Sequence, residues 1–70
     1  MIERAVALGI EREPGLLHDA AVRRPKAWGA LAAAGVLAFR EIAGRAPTDG
    51  ERRAIWAGLW RAVEEVSPGG

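Results

Sequence analysis

The 70-residue chain has no cysteine, asparagine, glutamine or tyrosine. Thr48 is its only threonine, Ser67 its only serine, His18 its only histidine and Lys26 its only lysine. Each absence removes a class of function. Without cysteine there is no disulfide to brace a small domain, and no thiolate site for zinc or an iron–sulfur cluster. Ser67 lies in a Ser-Pro-Gly-Gly end and Thr48 is better explained as a helix cap, so the usual parts of a nucleophilic active site are missing. No glycine-rich phosphate loop occurs. His18 beside Asp19 reads as a surface or helix-end residue. A metal would need further ligands, which only carboxylates from other helices could supply; Glu13 or Glu64 is conceivable, but nothing in the sequence places them with His18. Glu64 and Glu65 are adjacent and do not share a helix face. The expectation is a protein that is not an enzyme and needs no cofactor.

Ten basic and nine acidic residues leave a net charge of +1, so no global field draws the chain to nucleic acid or acidic lipid. The scarcity of amides and thiols, with nine arginines to one lysine, fits a thermophile; codon bias in a GC-rich genome fits equally. The start, Met1 to Val6, lacks the basic region and long apolar core of a signal peptide. The expected location is cytoplasmic.

The most unusual stretch that is present runs from Ala27 to Phe39, thirteen residues without a polar side chain, eight of them Ala or Gly. It falls short of the roughly 18–20 residues that span a bilayer, and no membrane role is expected. A helix apolar all round is buried all round, and a 70-residue chain has little material to surround one of its own helices.

All periodicity in the chain is helical. Ile2, Val6 and Ile10, with Ala5 and Gly9 beside them, predict a first helix over 2–12. Pro14 predicts the first turn of a short helix over 14–23, ended by Pro25. Pro25 then opens a second main helix over 25–43, with Gly44 as its stop. Thr48-Asp49-Gly50-Glu51 reads as a capping box that starts a third main helix over 49–66. The expected fold is therefore all-α: a small orthogonal or bundle-like domain over 1–66, of three main helices and one short one, with the 25–43 helix at its centre. Residues 67–70 are expected to form a flexible tail.

On the third main helix, Ala62, Val66, Leu59, Ile55, Val63, Trp56 and Trp60 cover an arc of about 160°, wider than the roughly 100° stripe that serves one core. One edge, with Ile55, Leu59, Ala62 and Val66, is expected to face the 25–43 helix. The other, with Trp56, Trp60 and Val63, faces something else. The 25–43 helix adds small-residue ridges at Gly29, Ala33 and Ala30, Ala34, with Ala38 further on, that permit close helix crossing. These features predict a homodimer, or association with another protein as an adaptor or regulator, through Trp28, Ala30, Ala33, Ala34, Leu37, Trp56, Trp60 and Val63. Two alternatives stay open. One is DNA binding by helices 25–43 and 49–66 used as a helix-turn-helix, with Arg45, Arg52 and Arg53 near the recognition end. Against it stand the low net charge and the lack of base-reading side chains, so nucleic acid is not the expected partner. The other is a small-ligand or peptide pocket walled by Trp28, Trp56 and Trp60.

Overall fold

The structure, a computed structural model, describes residues 1–67. It is all-helical, with four helices: α1 (Ile2–Arg12), α2 (Pro14–Ala21), α3 (Ala27–Ala43) and α4 (Asp49–Val66). All four helices touch one another, and α3 packs more extensively against the other three than any of them does, which makes it the hub expected from its apolar run. Among the described residues no helix is long and apolar enough to cross a membrane.

The core forms where the apolar faces of α3 and α4 meet. Leu31 and Phe39 of α3 and Ile55 and Leu59 of α4 are fully buried, with Ala5 of α1, Ala21 of α2 and Val63 closing the cluster. Among the described residues no polar or charged side chain is buried, so the interior carries no unmatched polar group. Helix α1 contributes its small residues to the deepest contact. Ala5 and Gly9 are buried, while Ile2, Val6 and Ile10 are half-buried beside them. The reason is close approach: a Cβ at Gly9 would stand 3.1 Å from the Cα of Gly35. The two backbones pass so closely that only hydrogens fit between them, and the large α1 side chains are turned aside toward α4.

Both termini of α3 differ in character. Gly44 takes a left-handed conformation (φ 74°) and its N–H donates to the Arg40 carbonyl at 2.8 Å, the single-bond C-terminal motif expected of glycine there. At the other end, the expected start at Pro25 is corrected. The helix begins at Ala27, because Lys26 is left-handed (φ 68°) and interrupts helical geometry. The short helix also stops at Ala21 rather than 23. Arg23 is left-handed (φ 61°), its N–H donates to the Ala20 carbonyl, and that of Arg24 donates to Asp19. This is a Schellman motif with arginine where glycine is usual.

The start of α4 is as expected. The Thr48 hydroxyl accepts from the Glu51 N–H at 3.2 Å, and the Glu51 carboxylate accepts from the Thr48 N–H at 2.9 Å. Ser67, expected in a loose tail, is half-buried, and its hydroxyl donates to the Ala21 carbonyl at 3.5 Å. The rest of the expected tail, 68–70, lies outside the described residues.

Candidate association surface

The expectation that α3 is buried all round is overturned. Gly29, Ala30, Ala33 and Leu37 are exposed, and Trp28 and Ala34 are half-buried. One side of α3 packs on α1, α2 and α4, and the outer side has nothing left to meet it. Leu37 keeps 56% of its surface exposed.

Helix α4 shows the same surplus. Ile55 and Leu59 face the core as expected, but Val63 does too, at 4% exposure. Its placement on the outward edge is therefore corrected. It follows Leu59 by one helical turn and continues the buried row, so it contributes to the core rather than to an outer surface. Val66, expected on the inward edge, is half exposed at the last helical position, and Ala62 is half-buried. The two tryptophans remain outward, with Trp56 37% and Trp60 52% exposed.

The outward residues of α3 and α4 adjoin. Trp28 meets Trp60 edge to face, ring centres 5.4 Å apart at 89°, a favoured aromatic geometry. Trp28, Gly29, Ala32, Ala33, Val36 and Leu37 line one wall of an open groove of about 660 Å³, with Trp56 and Arg52 on the other. The Arg52 guanidinium lies 5.8 Å from the Trp56 ring centre, within cation–π range. The sequence pointed to the tryptophans, but not to Arg52 or Val36 as their neighbours. Which face of α3 the other helices leave open depends on the path of the α2–α3 turn, and that turn has no periodic signature. A second apolar groove, which sequence reasoning missed, runs between α1 and α4, lined by Ile2, Val6, Ile10, Ala54, Ala57 and Gly58.

Two of the three arginines considered for base contacts are held within the chain. Arg45 pairs with Glu51 through two N–H···O bonds of 2.7 and 3.0 Å, and its guanidinium sits 5.3 Å from the Phe39 ring centre. Arg52 pairs with Asp49 one turn away. Arg12 pairs with Glu41, and Arg24 with Asp19. Arg53 is exposed and makes no ion pair among the described residues. The Arg45 pair and the Thr48 N–H together stabilise the Glu51 carboxylate, pulling its pKa from 4.5 to about 2. The Arg45–Glu51 bridge therefore fastens the α3–α4 connection to the capping box. His18 is exposed, and no cluster of three or more metal-ligating side chains occurs among the described residues.

No protein-family model, curated protein or solved structure matches this chain.

Proposed function

We propose that this chain is a small, non-catalytic helical module that works by associating with a second copy of itself. One observation carries the reading: α3 and α4 leave adjoining apolar residues, Leu37, Trp56 and Trp60 above all, exposed on a domain whose core is already complete. At 150–250 Å² per aromatic side chain, the exposed parts of Trp56 and Trp60 amount to roughly 150–200 Å² in each copy. Buried on both sides of a two-fold axis at about 25 cal/mol/Å², that surface is worth roughly 8–10 kcal/mol. Association costs an estimated 4–15 kcal/mol and buried area converts to affinity only in part, so the tryptophans supply a share of the needed term and the flanking residues the rest.

The test is sedimentation velocity at micromolar concentration. The expected species has twice the 7.4 kDa chain mass. Trp56→Ala is expected to shift it to monomer while the helical circular dichroism is retained. A wild-type chain that stays monomeric across that range refutes the proposal.

A second reading, a small-ligand or peptide site, is favoured by the groove between Trp28 and Trp56. Its size falls within the roughly 300–1,000 Å³ of ligand pockets. Tryptophan fluorescence that does not change across a ligand and peptide panel refutes it.

A further inference from the structure

We infer that the two copies meet through α4 packed antiparallel against its own partner, with a tryptophan centre flanked by Arg53–Glu64 pairs across the two-fold axis. The inference rests on the self-association reading above and adds its geometry. Arg53, Trp56, Ala57, Trp60 and Glu64 recur at i, i+3, i+4, i+7 and i+11, which places them on one helix face, and all five are exposed. The stripe is polar in the electrostatic sense: cationic at one end, anionic at the other, apolar between. An isologous contact sets each patch against itself with the helix direction reversed. Reversal about a point between Trp56 and Trp60 brings Ala57 opposite the partner's Trp60 and Arg53 opposite the partner's Glu64. Each ion pair then forms twice.

Three further observations favour this pairing. Arg53 and Glu64 are both exposed and both lack an ion-pair partner among the described residues, as do Arg4, Arg23, Arg40 and Arg61, but of these only Arg53 lies on the tryptophan face of α4 with Glu64. Glu64 and Glu65 lie in the last turn of α4, which holds no basic residue. There the helix carbonyls present partial negative charge, so acidic side chains are destabilising within one chain. An antiparallel partner places a guanidinium beside that end. Finally, the rival contact is disfavoured: the exposed row of α3 is flanked by Lys26 and Arg40. Antiparallel crossing of α3 on its copy, centred on Ala33, sets Lys26 against the partner's Arg40. The two-fold axis therefore belongs on α4, with Ala33 and Leu37 at its margin.

Charge reversal tests the arrangement. In Arg53→Glu, acid faces acid at both pairs; in Glu64→Arg, base faces base. Glu64→Arg improves the match to the α4 dipole and Arg53→Glu, an exposed change beyond the first turn, is near neutral to it, so neither is expected to unfold the monomer, and circular dichroism checks this. Each single variant is expected to weaken the dimer about tenfold, as two exposed pairs turn from attraction to repulsion. The double variant R53E/E64R is expected to return to within about threefold of wild type, as is an equimolar mixture of the two single variants. A wild-type dimer that none of these changes moves overturns the α4 contact and leaves self-association standing. A wild-type chain that is monomeric overturns both.

Discussion

Gly29 and Gly35 stand six residues apart on α3, and alanine at the two positions is expected to move stability in opposite directions. In both cases the substitution removes backbone freedom from the unfolded chain, and in a helix interior it is worth up to about 1 kcal/mol. At Gly29 nothing else changes, because a Cβ there has no atom within 4 Å. Gly29→Ala is therefore expected to stabilise by about 0.5–1 kcal/mol, the lower value reflecting its place in the first turn. At Gly35 the new Cβ would stand 2.8 Å from both Cγ2 of Ile55 and Cδ1 of Leu59. Neither side chain can retreat, since both are fully buried, and α1 passes behind at Gly9. Forcing a methyl into a filled core costs about 1–3 kcal/mol. After the helix-propensity gain, the net loss is expected to be about 1–2 kcal/mol, with a melting midpoint lower by roughly 4–8 °C per kcal/mol. Urea denaturation followed by circular dichroism, at a concentration low enough to keep the chain monomeric, measures both. If Gly35→Ala stabilises as Gly29→Ala does, the close approach of α3 to α4 at Gly35 is wrong, and the packing of the core with it.

Two further outcomes test the connections between helices. Arg23→Gly keeps the left-handed conformation but removes the strain of about 1–2 kcal/mol that it imposes on a residue with a Cβ, part of which glycine gives back in unfolded-state entropy; a net stabilisation of about 0.5–1 kcal/mol is expected in urea denaturation, and a destabilised variant refutes the Schellman geometry at Asp19–Arg24. The Glu51 carboxylate has its pKa lowered from 4.5 to about 2 by Arg45 and the Thr48 N–H. Such a group contributes stability that is fully present above about 4.5 and is lost as pH falls toward 2. Glu51→Gln is accordingly expected to be less stable than wild type at neutral pH, with the difference closing between pH 4.5 and pH 2. A difference that does not change over that window refutes the bridge.

The parts of the fold legible from the sequence are those set by chemistry within a few residues. The capping box at Thr48–Glu51, the stop at Gly44 and the opening of α2 at Pro14 each rest on one turn of backbone whose unpaired N–H or carbonyl groups accept a local solution. The misread elements depend on neighbours distant in sequence. Pro25 is compatible with a helix start taken alone, but the chain must reverse between α2 and α3, and Lys26 adopts a left-handed conformation to do so. Val63 and Trp56 sit side by side on a helical wheel, and nothing in the wheel says where the core ends. The structure draws that boundary between them, at 4% and 37% exposure.

The same limit governs the candidate surface, and it also explains why the apolar run of α3 is so rich in small residues. On the outer side of α3 alanine favours the helix by propensity alone, but glycine does not, and charged residues would serve nearly as well. In α3 the small residues Ala27, Ala32, Gly35 and Ala38 are buried, and Gly35 is accounted for by the crossing of α1 and by Ile55 and Leu59 of α4. The outer ones, Gly29, Ala30 and Ala33, are crossed by nothing within the chain. Gly29 and Ala33 bring little side-chain bulk to the groove beside Trp56, and Trp56 and Trp60 stay exposed on α4. In the proposed dimer, each chain's tryptophans would meet near the two-fold axis, and each chain's small-residue flank would receive the edge of the other. Larger side chains at Ala30 or Ala33 would leave the monomer core untouched, because neither residue belongs to it. Their effect on a dimer is therefore separable from their effect on folding, which makes the outer face of α3 the place where association and stability come apart.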